Sequence, residues 1–194
     1  MNRSGDNIYN LKQLVLNYLP LIQEITTPLK YIGIRTFSYY LISKEMEAIY
    51  FANDLEWLNR HYDSNDGMTG LGRCILFADE KYTLNKIVYS GNPNYDLFAP
   101  NKPMNGSKMF ENNLWNACCF YEKNDDGSYE SFNFFAGNDR IIMPEIYKKH
   151  EDKFRKFMSY FRTSIWPILN NLDNKRFFYG KTDARFSYSR KILK

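Results

Sequence analysis

The sequence predicts an α+β fold in which helices pack against an antiparallel sheet. Apolar residues recur every three or four positions near both ends of the chain, as they do on one face of an amphipathic helix. Between these segments lie short runs rich in β-branched and aromatic side chains, and two of the runs flank a turn of the type that joins hairpin strands. Aromatic residues make up 18% of the 194 residues, so we expect an aromatic core or an aromatic-lined pocket.

The first element is a helix, predicted from apolar residues at helical spacing. Pro20 removes one backbone donor and clashes with the preceding turn, so we expect a kink or two short helices. Pro28 is expected to close the segment. The residues that define the apolar face are Ile8, Leu11, Val15, Tyr18, Ile22 and Ile25.

Two strands and a short helix follow. IRTFSYYLI (34–42) and AIYFA (48–52) are predicted as strands joined by a turn. Asn53 or Asp54 can cap the helix DLEWLNRHY (54–62), since either side chain can accept a hydrogen bond from a first-turn amide. One face of this helix is predicted to carry Leu55, Leu58 and Tyr62, with Trp57 at its edge.

The middle of the chain leaves two interpretations open. CILFA (74–78) and NKIVYS (85–90) fit either strands or short helical pieces. GNPNYDLFAPNKPMNG (91–106) contains three prolines and two glycines, so we expect irregular structure there.

A hairpin and a long helix complete the predicted fold. LWNACCFYEK (114–123) and YESFNFFAG (129–137) flank a turn in which Asp126-Gly127 supplies the positive-φ geometry that hairpins favour. The last helix is predicted to start at Pro144, which suits a first-turn position, and Pro167 should bend or break it. Its apolar positions are Ile146 or Tyr147, His150, Phe154, Phe157 or Met158, Phe161, Ile165, Leu169 and Leu172.

The residue pattern argues against an enzyme. Nucleophilic catalysis needs a base next to its nucleophile, and the only two histidines, His61 and His150, are predicted on separate helices. DGMTGLGR (66–73) does not open a helix after a strand, so it lacks the context of a dinucleotide-binding loop. YGKT (179–182) looks like the end of a phosphate-binding loop, but Lys175 stands where the first glycine belongs. We therefore expect no catalytic residue and no cofactor.

Cysteine usage and hydropathy favour a cytoplasmic protein. Cys74, Cys118 and Cys119 lack the spacing of a CxxC pair, which fits thiols in a reducing compartment. Zinc binding is not expected, because the adjacent Cys118 and Cys119 would point to opposite faces of a strand. No apolar run reaches the roughly 18 residues that a membrane span needs, and MNRSGDNIYNLKQ (1–13) lacks the apolar region of a secretory signal.

The net charge of +4 is unevenly distributed. Residues 175–194 contain seven Lys or Arg and one Asp, whereas residues 1–174 contain 19 basic and 21 acidic residues. We therefore expect one folded domain at 1–174 and a basic aromatic tail or linker at 175–194. Interleaved rings and cations suit weak binding to single-stranded nucleic acid, although a solvated basic tail explains the same composition.

Trp57 and Tyr62 form a possible ligand-contacting pair on the short helix. They are five residues apart, which places them about 140° apart around the helix axis, so their rings do not stack on each other. One ring can face the sheet while the other lines an edge or a cavity. Periodicity alone favours core packing over ligand contact.

Four segments follow one another in an order found in a known family. They are ITTPLKYIGIRTFSYYLI (25–42), NDLEWLNRHY (53–62), FNFFAG (132–137) and EIYKKHEDKFRKFMSYFRTSI (145–165). Because of this order of segments, the chain resembles the N-terminal signal-binding domain of LuxR-type quorum-sensing transcription regulators. The resemblance implies an α/β/α sandwich with a central antiparallel sheet, comparable to PAS- or GAF-like sensor domains, and a small-molecule cavity between sheet and helices.

The resemblance also implies which residues contact a ligand. Trp57 corresponds to a Trp that contacts the lactone signal in the family, and Tyr62 approximately corresponds to a Tyr with the same role. The family's Asp-Pro pair is absent from DSNDGMTG (63–70), which argues against an acyl-homoserine lactone and leaves another small apolar or amphipathic ligand. Trp115, by its position on a predicted strand, and Tyr39 are further candidates.

The function expected from this resemblance is that of a non-enzymatic ligand-sensing module of a transcription regulator. It would form a homodimer through its terminal helices or pair with another regulator. The family's helix-turn-helix domain has no counterpart after the last predicted helix, so we do not expect this chain to read DNA sequence directly. Two alternatives stay open: a protein-interaction domain with a filled core, and a nucleic-acid binder that acts through residues 175–194.

Overall fold

The part of the protein that the computed structural model describes contains four helices and five strands. It comprises residues 3–44, 48–63, 85–90, 116–137 and 143–173. The elements are α1 (Arg3–Lys30), β1 (Ile34–Ile42), β2 (Ala48–Ala52), α2 (Leu55–Asp63), β3 (Asn85–Ser90), β4 (Asn116–Lys123), β5 (Tyr129–Ala136), α3 (Met143–Lys149) and α4 (Glu151–Asp173). None of these helices combines the length and the apolar composition that crossing a membrane requires. The predicted α+β class is confirmed.

All five strands pair antiparallel, in the order β2-β1-β5-β4-β3. Two hairpins, β1–β2 and β4–β5, form between neighbours in sequence, and the β1–β5 pairing joins them. In the β4–β5 turn Gly127 adopts a φ of 84°, as the predicted turn chemistry requires. NKIVYS forms β3 and is therefore a strand, whereas residues 74–78 and 91–106 lie outside the described residues.

The first helix, α1, is continuous over 28 residues and contains both Pro20 and Pro28. The alternative of two short helices separated at Pro20 is therefore wrong, as is the prediction that Pro28 closes the segment, whereas the alternative of a kink at Pro20 stays a prediction. Both proline side chains are exposed, so the carbonyls that lose an amide partner can be hydrated instead. The helix ends before Gly33, whose φ of 86° suits the left-handed residue after a helix and whose amide donates to the carbonyl of Lys30 at 3.1 Å.

The predicted last helix is two helices, α3 and α4, separated at His150. The carbonyl of His150 accepts a hydrogen bond from the amide of Phe154 at 3.3 Å, where α4 begins. The helix α4 continues through Pro167, so a break at that residue is excluded, while the predicted alternative of a bend stays a prediction. The exposed position of Pro167 again allows water to reach the carbonyl that loses its partner. Tyr147 fixes α3 on the sheet, because its hydroxyl donates to the carbonyl of Asn116 at 2.9 Å.

The start of α2 is fixed by two side chains. Asp54 is the N-cap, since its Oδ1 accepts a hydrogen bond from the amide of Trp57 at 2.8 Å. Asn53 binds the neighbouring strand β1 instead. Its side-chain Oδ1 accepts a hydrogen bond from the backbone amide of Phe37 at 2.8 Å, and its backbone amide donates to the carbonyl of Phe37 at 3.1 Å. Leu55 was predicted on the buried face but is 49% exposed, because α2 buries side chains of its later turns.

The sheet has helices on both faces, which confirms the expected α/β/α sandwich. Alternate residues of a strand point to opposite faces, and the strand register shows which residues share a face. We name the faces after the helices that pack on them, the α4 face and the α2 face. The α4 face is filled by rings of Phe37, Tyr39, Phe120, Phe132 and Phe134, which meet Phe154, Phe157 and Phe161 of α4 at centroid separations of 4.8–6.5 Å.

Candidate functional site

The centre of the α2 face is polar and buried. Ser38 on β1 pairs in register with Asn133 on β5. Thr36 and Ser131 lie two residues away on the same face, and none of the four residues is more than 6% exposed. We call these four residues the polar patch. Because burying an unpaired polar group costs free energy, such a patch requires internal hydrogen bonds or a bound partner.

Hydrogen bonds join three of the four residues of the polar patch. The hydroxyl of Ser131 donates to Asn133 Oδ1 at 2.8 Å. Asn133 Nδ2 in turn donates to the carbonyl of Ser38 at 3.4 Å and to Ser38 Oγ at 3.3 Å. Within the described part of the chain, the buried Oγ1 of Thr36 forms no hydrogen bond. An unsatisfied buried hydroxyl costs about 1–3 kcal/mol, so its position marks a candidate contact for a ligand.

Trp57 lies beside the polar patch. The centroid of its ring is 6.0 Å from that of Phe135, and Phe135 is paired in register with Thr36. Trp57 is half-buried, so the indole packs against the sheet and keeps part of its surface accessible. A large ring in this position is suited to contact with an apolar group.

Tyr62 and His61 anchor α2 to the first hairpin. The hydroxyl of Tyr62 donates to the carbonyl of Tyr50 at 3.0 Å. The His61 ring stacks on that of Tyr50 with centroids 3.8 Å apart, and its Nδ1 lies 3.0 Å from the hydroxyl of Tyr40. Burial lowers the pKa of His61 to about 3, so the imidazole is neutral at physiological pH. These contacts hold α2 on the sheet and thereby position Trp57.

Tyr39 lies on the α4 face, away from Trp57 and Tyr62. It is 1% exposed, and its hydroxyl donates to Glu130 Oε1 at 2.5 Å. Two phenylalanine rings pack against its ring at 4.8 and 5.2 Å. The structure therefore brings Trp57 and Tyr62 to one face of the sheet and Tyr39 to the other. The fourth candidate, Trp115, lies outside the described residues.

A cluster of charged side chains also occupies the α4 face. Arg162 forms ion pairs with Glu130, at 2.8 Å, and with Glu122, and Arg155 lies 3.5 Å from Glu122. Partial burial pulls the pKa of Arg162 down, but the hydrogen bonds and charges of the two glutamates outweigh it and hold the pKa above its ordinary value. The cluster therefore connects α4 to the hairpin β4–β5.

The described residues favour neutral chemistry at this site. No group of three or more His, Cys, Asp or Glu among them is arranged to hold a metal ion. On the opposite face, the α4 face, burial raises the pKa of the Cys118 thiol, so this cysteine stays protonated and packs as a small apolar group. Among the described residues, the polar patch and the rings beside it give the centre of the α2 face aromatic surfaces and uncharged hydrogen-bonding groups.

Comparison with solved structures identifies this arrangement of sheet and helices. The N-acylhomoserine lactone-dependent LuxR-family transcription factor CepR2 from Burkholderia cenocepacia matches with a TM-score of 0.51 and 11% identity, over 82% of this chain and 98% of that chain. SdiA from Escherichia coli matches with a TM-score of 0.51 and 12% identity, over 91% of this chain and 74% of that chain. The fold is that of a LuxR-type signal-binding domain. No protein-family model and no curated protein matches the sequence.

Sequence reasoning missed the part of this LuxR-type fold that now defines the candidate site. The alternation in SFNFFA (131–136) puts Ser131 and Asn133 on one face of β5 and Phe132 and Phe134 on the other. Alternation of this kind usually indicates a strand with one solvated face. Here both faces are covered, and the polar residues are buried. The polar patch could have been predicted from the small polar residues that occupy alternate positions of two strands.

Proposed function

We propose that the protein is a non-enzymatic ligand-sensing domain that acts in the cytoplasm and binds a small amphipathic molecule on the α2 face of its sheet. The observation that carries the proposal is the buried polar patch, with the unpartnered hydroxyl of Thr36, beside the half-buried Trp57. CepR2, a transcription factor of the same fold, depends on a small-molecule lactone. By analogy, the similar fold supports the proposal that this protein also binds a small ligand.

The proposed mechanism starts from the two chemical parts of the site. Trp57 and Phe135 contact the apolar part of the ligand, and the polar patch forms hydrogen bonds with its polar part. Ligand binding then secures α2, which is linked to α1 by an ion pair between Lys12 and Asp63 at 2.8 Å. A ligand present at 100 times its dissociation constant stabilises the folded state by about 2.7 kcal/mol. Because α1 and α2 are connected, this stabilisation extends from the site to the first helix.

A thermal-shift screen of small apolar and amphipathic compounds tests the proposal. A ligand at 100 times its dissociation constant should raise the Tm by about 5–10 °C for a chain of this length. Trp57→Ala should weaken binding roughly tenfold because the aromatic contact is lost, whereas Trp57→Phe should retain part of it.

The matched control is Trp166→Ala, since Trp166 is 61% exposed on α4. This variant should bind as the wild type does. The proposal fails if no compound raises the Tm, or if Trp57→Ala and Trp166→Ala bind a hit equally well.

A second proposed function is pairing with a copy of itself or with another regulator. Tyr160 and Trp166, both on α4, are 52% and 61% exposed, and large exposed rings are typical of interface residues. In this role the domain would transmit its signal through protein contacts rather than by reading DNA itself. Nucleic-acid binding through residues 175–194, and the domain boundary at residue 174, stay predictions because these residues lie outside the described part of the chain.

A further inference from the structure

We propose that the turn between α1 and β1 is a contact site for an anionic phospholipid surface. The site comprises residues 30–35, KYIGIR, which we call the basic turn. It lies outside the polar patch and the rings beside it, so the inference goes beyond the proposed function and does not depend on it.

Two apolar side chains of the basic turn face solvent. Tyr31 is 87% exposed and Ile32 is 39% exposed, whereas Leu29 and Ile34, which flank them, are buried. A tyrosine ring combines an apolar body with a polar hydroxyl, which is why tyrosine is enriched where a bilayer meets water. The turn therefore carries the kind of side chains that enter the interface of a bilayer.

The backbone of the basic turn is fixed by local hydrogen bonds. The amides of residues 31, 32 and 33 donate to the carbonyls three residues earlier, at 3.3, 3.2 and 3.1 Å. Gly33 then reverses the chain with a φ of 86°. Because the turn is already ordered, a contact through it does not require the chain to lose further conformational freedom.

Two cations flank the apolar side chains. Lys30, the last residue of α1, is exposed. Ile34 and Thr36 pair with consecutive residues of β5, so Arg35 between them is the extra residue of a β-bulge. A bulge changes the direction of a side chain, and Arg35 is exposed although both of its neighbours in β1 are buried.

The charges of these two cations are not neutralised by nearby carboxylates. Residues 25–42 contain Lys30 and Arg35 but no Asp or Glu, and in the described part of the chain neither cation forms an ion pair. The preceding carboxylate in sequence, Glu24, is six residues before Lys30, about 9 Å along the helix axis. Both cations are therefore available to the phosphate groups of anionic lipids, which attract Lys and Arg close to a membrane surface.

The exposure of the turn favours a lipid surface over an acidic peptide. Peptides are usually held in grooves or along strand edges, whereas the ring of Tyr31 has little protein around it. A fluid bilayer can adapt to a protruding turn: Tyr31 and Ile32 enter the boundary between headgroups and acyl chains, and the long side chains of Lys30 and Arg35 reach the phosphates.

Binding of the full chain to lipid vesicles tests the proposal. Vesicles of equal parts phosphatidylglycerol and phosphatidylcholine are compared with vesicles of phosphatidylcholine alone, by flotation at low and high salt. Wild-type protein should bind the anionic vesicles more tightly, and salt should weaken this binding because it screens the cations.

Substitutions in the basic turn separate a specific contact from a general charge effect. Tyr31→Ser should lower the partition coefficient on anionic vesicles about fivefold to tenfold, and Tyr31→Trp should retain it. Lys30→Gln with Arg35→Gln should lower it at least roughly tenfold. The matched control is Lys153→Gln with Lys156→Gln, which removes the same charge from exposed positions of α4 and should change little. Because residues 175–194 are basic in every variant, the comparison among variants decides the test.

A labelled poly-glutamate peptide distinguishes a lipid surface from an acidic protein partner. Loss of vesicle binding in the two turn variants but not in the α4 control supports the proposal. Vesicle binding that is the same in wild type and both turn variants, or reduced equally in the α4 control, overturns it. Turn variants that lose the peptide but keep the vesicles also overturn it and assign the turn to an acidic partner. Ligand binding on the α2 face is measured separately, so none of these results decides the sensing function.

Discussion

Individual polar side chains on the α2 face have two different roles. Thr36 is buried without a hydrogen-bond partner in the described residues, so it weakens the unliganded fold and is available to a ligand. His61 is buried with partners: it stacks on Tyr50 and lies within hydrogen-bond distance of the Tyr40 hydroxyl. The first residue is suited to recognition and the second to holding α2 in place.

The burial of His61 predicts an acid-sensitive fold. The unfolded chain protonates this histidine below about pH 6.5, whereas the folded chain does so only near a pKa of about 3. The unfolded state therefore binds more protons in this window, and stability should fall as the pH decreases through it, by on the order of 1 kcal/mol per pH unit. Above pH 6.5 the contribution of this group should not change with pH.

Urea denaturation at pH values above and below 6.5 measures this effect. His61→Gln removes the titrating group and should flatten the dependence of unfolding free energy on pH between about 6.5 and 4. His150→Gln, in the turn between α3 and α4, is the matched control and should retain the wild-type slope. Identical slopes for wild type and His61→Gln would contradict the prediction.

At the scale of elements, α4 is attached to the sheet by both rings and charges. Arg162 lies over the ring of Phe132 at 4.7 Å and pairs with Glu130 and Glu122 on adjacent strands. The two glutamates are directly opposite each other in the β4–β5 register, so their charges would repel without the guanidinium between them. Arg162 thus compensates the charges of the buried Glu130 and the partly buried Glu122 under α4.

Removing this arginine should destabilise the protein more than removing an exposed one. Arg162→Met leaves two mostly buried carboxylates without their shared cation; because the Arg162 side chain is itself 34% exposed, we expect a loss of about 2–3 kcal/mol, below the range for fully buried pairs. Arg60→Met, which breaks the exposed pair with Glu56 on α2, should cost less than Arg162→Met, because exposed pairs contribute little to stability.

Chemical denaturation of the two variants provides the comparison. Adding Glu122→Gln and Glu130→Gln to Arg162→Met should recover much of the lost stability, since no buried charge is then left unpaired. Equal destabilisation by Arg162→Met and Arg60→Met would show that the cluster does not anchor α4.

In the whole molecule, the two faces of the sheet differ in composition, and we assign them different roles. The α4 face is packed with rings and a closed ionic cluster, so it provides stability. The α2 face combines a polar patch with an accessible indole, and we propose that it provides recognition. Tyr160 and Trp166 on α4 are 52% and 61% exposed, and we propose that they provide the surface for association with another chain.

Self-association through α4 would depend on these exposed rings. Trp166→Glu places a charge where an apolar contact is expected, so it should weaken a dimer at least roughly tenfold. Sedimentation over a range of concentrations measures the dissociation constant. Tyr31→Glu is the matched control, because Tyr31 is 87% exposed in the turn after α1 and should not affect a dimer formed through α4. A monomer at all concentrations for wild type would contradict homodimerisation.

Elements that depend on local interactions could be predicted from the sequence. The observed bounds of the strands IRTFSYYLI and AIYFA are the predicted ones. Asp54, one of the two predicted candidates, caps α2, and Gly127 supplies the predicted turn geometry. Each of these follows from propensities or hydrogen bonds between residues close in sequence. The prolines of α1 and α4 were misjudged, because their effect depends on whether the carbonyls they leave unpaired are open to water.

Long-range packing, by contrast, determines which residues share a site. A period of two shows that Tyr39 and Tyr40 lie on opposite faces of β1, but it cannot say which helix covers each face. Packing of α2 on one side and α4 on the other separates Tyr39 from Trp57 and buries the small polar residues of β1 and β5. Because an unpartnered hydroxyl arises only when long-range contacts exclude water from it, the state of Thr36 could not be derived from the sequence of its own strand.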